Sequence, residues 1–299
     1  MKNARTPLGN PTSGALTAAA VATPVYARLV PGSEGVVLGT ASRSAWLEVE
    51  DFVVAVMPGS LPLMPNGVAV AQGLETTGIR RGAPVRVGTE WMEAGDVTVD
   101  LAGARRWSPL APFNEHYGPR DVWVRARQLL AGRPPPEPSA LVAHLGASTR
   151  VVKGGRGEEG VRKLLRAAEQ RDAGLASEAA DLLVGRGTGL TPEGDDLLAA
   201  AAAAAGGFGR AVGFDEPARR TWAGALFPAG ARERTTALSS TLLRLAVEGM
   251  VLEPVRDVLD LSRSPEHCRA DTARLWSIGH GTGRAYALGL GSVAALLAR

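Results

Sequence analysis

The apolar pattern of this 299-residue chain changes its period at one proline-rich segment, and that change constrains the fold more than any other feature. Before the segment, apolar residues stand in short or alternating runs separated by glycine, proline and asparagine, a pattern typical of strands and turns. After it, apolar residues recur at helical spacing, as Val161, Leu164, Leu165 and Ala168 do. The segment itself, residues 132–138, contains four prolines and can continue neither a helix nor a central strand.

The sequence therefore predicts an α+β protein with two domains. We expect a β-rich barrel or sandwich over residues 18–131 and an all-helical domain over residues 139–299. Pro217, Pro254 and Pro265 each stand where the first turn of a helix accepts proline, which supports the helical interpretation of the second half.

Composition excludes several classes of protein. A net charge of +3, scattered basic residues and an aromatic content of 5% argue against a surface that binds nucleic acid. The single cysteine, Cys268, excludes a disulfide within the chain and a multi-cysteine zinc site. No run reaches the roughly 18 consecutive apolar residues that a membrane span needs. We therefore expect a cytoplasmic protein whose partners are neither nucleic acid nor membrane.

The densest motif is the segment 185–198, which reads GRGTGLTPEGDDLL. Its alternate glycines are expected to end one helix, and the Thr-Pro pair with the following acids is expected to begin the next. A glycine-rich loop before a helix exposes backbone N–H groups that can hold an anion. The candidate substrate-binding residues of this loop are Gly187, Thr188, Gly189 and Thr191. The segment matches neither a Walker A motif nor the dinucleotide fingerprint.

Two adjacent acids, Asp195 and Asp196, complicate a simple anion site. A carboxylate about 4 Å from a bound anion would oppose it by about 4 kcal/mol, whereas a helix terminus favours it by only about 0.3–1 kcal/mol. Neighbouring helical positions diverge by about 100°, so we expect one acid to orient the loop and the other to face a cation, a polar substrate group or an arginine. Both acids are candidate catalytic residues and Mg²⁺ ligands. In the alternative interpretation they only complement the helix dipole beside a tight interhelical corner.

Two further segments carry candidate residues. In 278–284, IGHGTGR, His280 is a candidate proton carrier and Thr282 a helix cap or a donor to substrate. A buried histidine bonded to backbone is the alternative for His280. In 235–243, the hydroxyls of Thr235, Thr236 and Ser239 stand at a predicted helix start, where they can bind substrate oxygens or simply cap the helix.

These three segments, in this order behind a β-rich half, resemble the AllH-like family, long catalogued as a bacterial domain of unknown function. The pattern G-x-G-x-G-L-T-P-x-G-D-D-x-L is intact over 185–198, and T-T-x-x-S-x-x-L-L-x-x-A-x-x-G is intact over 235–249. The closing I-G-H-x-S-G is met except that Thr282 replaces serine and keeps the hydroxyl. A family element P-N-x-[IV] is similar to residues 65–68, which adds Asn66 as a candidate substrate-binding residue.

The resemblance implies a subunit of an oxamate carbamoyltransferase of allantoin (purine) catabolism. Such a subunit works beside an FdrA-like chain and another subunit in moving a carbamoyl group between oxalurate or oxamate and phosphate. In that interpretation the glycine loop holds an oxyanion, one of the two acids binds metal or orients a substrate amide, and His280 assists proton transfer. Two alternatives stay open: a non-catalytic sensing or scaffold subunit that binds a small anionic metabolite, and a stand-alone enzyme on a related small amide.

Overall fold

The computed structural model describes residues 15–71, 78–130, 141–143, 145, 155–279 and 281–299. The chain divides into two compact units, Met1–Ser108 and Pro109–Arg299. This division lies upstream of the predicted boundary at 131–139, because helix α2 (Pro119–Leu129) packs its buried face against helices of the second unit. The proline-rich segment 132–138 lies outside the described residues.

The first unit is a barrel of eight strands followed by a ninth strand. The strands are β1 Ala15–Ala22, β2 Glu34–Ala41, β3 Ser44–Val49, β4 Phe52–Pro58, β5 Gly67–Val70, β6 Pro84–Val87, β7 Trp91–Ala94, β8 Val97–Asp100 and β9 Arg105–Trp107, with helix α1 (Thr23–Arg28) after β1. Their order is β5-β4-β3-β2-β6-β7-β8-β1, and an antiparallel β1–β5 pairing closes the ring. Residues 15–17 of β1 pair with β8 and residues 20–22 pair with β9. Of the two predicted alternatives, the barrel is confirmed.

The strand periodicity explains how the barrel fills its interior. Strand β3 buries Ala45, Leu47 and Val49 and leaves the intervening residues partly exposed, the period-2 pattern of a strand with one face in a core. Strand β4 is buried along its whole length.

The second unit is helical in its described residues, which confirms the α+β class. Its remaining helices are α3 Gly155–Gln170, α4 Ala173–Leu183, α5 Glu193–Phe208, α6 Glu216–Ala225, α7 Ala231–Arg234, α8 Ala237–Val247, α9 Glu253–Leu259, α10 Pro265–Trp276 and α11 Thr282–Leu297. In the described part of the chain, no helix combines the length and apolarity needed to cross a membrane.

Helices α5 and α11 form the centre of this unit, and both are rich in alanine and glycine. A Cβ atom added to Gly289 of α11 would lie 2.8 Å from the Cβ of Ala200 in α5, closer than real Cβ atoms approach. Small residues therefore let the two helices pack closely, and their N-termini carry the first two motifs of the candidate site.

Candidate active site at the start of helix α5

The glycines of the first motif form a tight corner between α4 and α5. Gly185, Gly187 and Gly189 have φ angles of +71°, +118° and +98°, a region that favours glycine. A Cβ on Gly185 would lie 2.0 Å from the carbonyl oxygen of Arg234, so this turn also touches the neighbouring backbone directly. The glycines therefore let the loop backbone lie close to the neighbouring backbone. The tip of the loop, at Thr188 and Gly189, is exposed.

Asp195 holds this corner to the start of α8. Its side chain is buried, and one carboxylate oxygen accepts a hydrogen bond from the backbone N–H of Gly185 at 2.8 Å. The other oxygen accepts from the hydroxyl of Ser239 at 2.7 Å and from the hydroxyl of Thr235. Burial raises the pKa of Asp195, and the three hydrogen bonds oppose that rise. The Asp195 carboxylate thus accepts three hydrogen bonds, one from the first motif and two from the third.

Asp196 faces the second motif instead. The hydroxyls of Thr282 and Thr191 each oppose the rise in the pKa of Asp196, and these two hydroxyls form a hydrogen bond with each other at 2.8 Å. The carboxyl is buried, and its Oδ2 atom has no hydrogen-bond partner among the described residues. Burial raises the pKa of Asp196 well above its ordinary value, and the neighbouring Asp195 and Glu193 charges raise it further. This environment favours the protonated carboxyl, which can donate a hydrogen bond.

Tyr286 was not predicted from the sequence, yet it lies beside the two acids. The side chain is buried in α11, and burial together with the charges of Asp196 and Asp195 raises its pKa well above the ordinary value. Tyr286 follows Thr282 by four residues, so both lie on one face of α11. This four-residue spacing from Thr282 is the feature of the sequence that could have identified Tyr286 as a neighbour of the site.

The structure brings most of the predicted residues together in two groups. Asp195, Thr235 and Ser239 form one group, and Asp196, Thr191 and Thr282 form the other. The N-termini of α5, α8 and α11 therefore converge on one place, although the three motifs are separated along the chain.

The other predicted residues have different surroundings. Thr236 caps α8, accepting from the N–H of Ser239 at 3.0 Å, and its hydroxyl donates to the carbonyl of Leu190 at 2.5 Å. Asn66 lies in the first unit, where its buried side chain donates to the carbonyl of Val53 at 2.8 Å. His280 lies outside the described residues, so its role stays a prediction.

Magnesium binding also stays a prediction. In the part of the chain that the structure describes, no group of three or more His, Cys, Asp or Glu side chains is placed to hold a metal ion. Both oxygens of Asp195 already accept hydrogen bonds from protein donors, whereas Asp196 keeps one oxygen without a partner among the described residues.

Comparison with known protein families matches part of the helical unit. A family model described as oxamate carbamoyltransferase subunit AllH matches residues 183–294. This stretch is AllH-like. It runs from the last residue of α4 into α11, so the AllH-like stretch contains all three motifs and both acids, whereas Asn66 lies outside it. No curated protein and no solved structure matches the chain.

Proposed function

We propose that this chain is a subunit of a carbamoyltransferase that transfers a carbamoyl group between oxalurate or oxamate and phosphate. The AllH-like stretch supports this proposal, because its family is described as a subunit of oxamate carbamoyltransferase. The observation that carries it is the buried Asp196 carboxyl, which has one oxygen without a hydrogen-bond partner among the described residues.

The reaction needs a proton donor. When phosphate cleaves oxalurate, a phosphate oxygen bonds to the carbamoyl carbon and the bond from that carbon to the oxamate nitrogen breaks. Carbamoyl phosphate and oxamate are the products, and the departing nitrogen takes a proton. Negative charge develops on the carbamoyl oxygen during attack, and a hydrogen-bond donor placed there lowers the barrier.

Asp196 has the properties of such a donor. Its raised pKa keeps a proton on the carboxyl at a pH where an exposed aspartate is ionised. Thr191 and Thr282, whose hydroxyls are hydrogen-bonded to each other, are the polar neighbours that lower the pKa of this carboxyl. In the proposed reaction, Asp196 donates to the carbamoyl oxygen or to the departing nitrogen.

Asp195 has a different role in this proposal. Its three hydrogen bonds fix the glycine corner and the start of α8, so it is a positioning residue that holds the loop. Two neighbouring acids in the first turn of α5 thus have different roles: Asp195 holds the loop and Asp196 carries the proton.

The experiment measures phosphate-dependent oxalurate cleavage by the purified chain together with its candidate partner subunits, one of them FdrA-like. Oxamate and carbamoyl phosphate are quantified separately. We expect Asp196→Asn to lower the rate at least about 100-fold, the usual scale for loss of a general acid. The matched control is Asp215→Asn, an exposed helix cap in the same unit whose function asparagine retains.

Three outcomes separate the alternatives. Full activity of the Asp196→Asn assembly contradicts the proposed role of this residue. Cleavage by the isolated chain indicates a stand-alone enzyme. Thermal stabilisation by oxamate or phosphate with no turnover in any combination of subunits indicates a sensing or scaffold subunit and contradicts the catalytic proposal.

A further inference from the structure

A second concave site lies near the opposite end of helix α5 from Asp196. It is a cavity of about 480 Å³ between the loop 110–113, the C-terminal half of α5, helix α6 and the segment 247–249. Small-molecule sites typically have volumes of about 300–1,000 Å³. Gly206, which lines the cavity, follows Asp196 by ten residues, so the two places are about 15 Å apart along the helix.

Hydrogen bonds fix the walls of this cavity. The N–H of Ala111 donates to the carbonyl of Gly249 at 2.8 Å, which joins the loop to the end of the α8 segment. The side chain of Asn114, buried directly after the loop, donates to the carbonyls of Gly207 at 2.7 Å and Leu259 at 2.8 Å. The cavity is therefore formed by the folded chain itself.

Three arginines of this cavity surround one glutamate. Arg210 and Arg220 each donate to the Glu216 carboxylate at 2.6 Å. Arg219 is further from it: its Nη2 atom lies 3.6 Å from the same carboxylate. The buried Nε of Arg219 has no hydrogen-bond partner in the described part of the chain. Because a guanidinium carries five N–H donors, Arg219 keeps donors for a ligand.

The stem of Arg219 has a fixed place in the fold. A Cβ atom on Gly209, at the end of α5, would lie 2.4 Å from Cδ of Arg219. The glycine thus leaves room for the arginine stem, and only 13% of the Arg219 side chain is exposed. A half-buried, positioned guanidinium loses little freedom when it binds an oxyanion.

Exposed apolar side chains line the same cavity. Phe113 is 70% exposed and Leu110 is 49% exposed, although both are large apolar residues. The guanidinium of Arg210 lies 4.8 Å from the centre of the Phe113 ring. The cavity thus presents an apolar surface next to cationic groups.

We propose that this cavity binds a small organic anion, a carboxylate or phosphate joined to an apolar or aromatic body. The oxyanion pairs with Arg219, since a planar guanidinium matches carboxylate and phosphate oxygens, and the body packs on Phe113 and Leu110. Arg210 and Arg220 pair with Glu216, and Arg210 also lies 3.8 Å from Glu115. The oxyanion is therefore assigned to Arg219, which is the arginine furthest from the Glu216 carboxylate. The site shares no residue with the proposed active site and stands independently of it.

Isothermal titration of the full chain with phenyl phosphate and with benzoate tests this proposal. We expect saturable binding of at least one probe. Binding of phenyl phosphate indicates a phosphate ligand, and binding of benzoate indicates a carboxylate ligand. The Arg219→Gln substitution should lower the affinity for the bound probe at least tenfold. Phe113→Ala should weaken phenyl phosphate and benzoate but leave any binding of inorganic phosphate unchanged. The matched control is Arg269→Gln, an exposed arginine of α10 that should change nothing.

Several results would overturn the proposal. These are the absence of saturable binding, equal affinity in the Arg219→Gln variant, and equally tight binding of benzyl alcohol, which carries no charge. Loss of binding in Asp196→Asn would place the probe at the other site and also contradict it. If Arg219→Gln does not fold, the exposed Phe113→Ala variant decides, because unchanged affinity there refutes the proposed contact.

Discussion

Replacing Gly283 by alanine should destabilise the helical unit, although alanine is the better helix former. A Cβ atom at this position of α11 would lie 1.8 Å from the carbonyl oxygen of Leu275 in α10. Real Cβ contacts essentially never fall below 3.0 Å, so the two backbones would have to separate by about 1.2 Å. Both are main-chain segments of packed helices, and no flexible side chain can absorb the displacement.

The magnitude follows from two opposing effects. Removing a glycine from a helix gains about 0.5–1 kcal/mol. Overpacking a close contact costs about 1–3 kcal/mol and occasionally more, and a backbone clash lies at the high end. We expect a net loss of about 2 kcal/mol in the free energy of unfolding. For a unit of this size that loss lowers Tm by about 4–8 °C.

Thermal unfolding of the full chain, followed by circular dichroism at 222 nm, measures this change mainly through the helical unit. The matched control is Gly224→Ala in α6, where no atom lies within 4 Å of an added Cβ. That variant should gain about 0.5–1 kcal/mol. A Gly283→Ala protein that unfolds at or above the wild-type temperature refutes the packing argument. The same change should separate Thr282 from Thr191 and lower any carbamoyltransferase activity.

Three further predictions concern buried polar groups and are checked by urea unfolding. Asp196→Asn should match or exceed the wild-type stability at neutral pH. Because the folded carboxyl holds its proton more tightly than the unfolded one, wild-type stability falls as pH rises from the usual carboxyl range through the raised pKa, and the variant should lack that part of the pH dependence. Asp195→Ala should cost about 3–5 kcal/mol, since three hydrogen-bond donors lose their acceptor, and Asp195→Asn should cost less. Arg125→Leu should cost about 2–4 kcal/mol, because this guanidinium donates to three backbone carbonyl groups around α9 and α10. Unchanged stability in either of the last two variants would contradict the corresponding hydrogen-bond assignment.

The helices of the second unit could be predicted because their signals are local. Helix α8 begins directly after its cap Thr236, and α10 begins at Pro265 after its cap Ser264, as residue type and spacing indicate. The closure of the barrel could not be predicted in the same way. It depends on β1 pairing with β5, a contact between residues about 50 positions apart, and nothing in either strand specifies its partner.

The domain boundary shows a different limit of local signals. Prolines mark where a helix or strand cannot continue, but a domain ends where contacts across the chain become few. Helix α2 precedes the proline-rich segment and still belongs to the helical unit, because Val122, Ala126 and Leu129 are buried there. The proline-rich segment and the division between the two units therefore fall at different places in the sequence.

The candidate site depends both on local helical geometry and on contacts between residues that are distant in the sequence. Helical geometry alone predicts that Asp195 and Asp196 diverge, and they do: one faces the start of α8 and the other the start of α11. Which acid is fully hydrogen-bonded depends on how many donors each neighbouring helix brings, which only the tertiary packing decides. The start of α8 supplies two hydroxyls beside the Gly185 N–H, and together they occupy both oxygens of Asp195. On the other side, Asp196 keeps one buried oxygen without a partner among the described residues, and that difference in donor supply directs the proposed chemistry to Asp196.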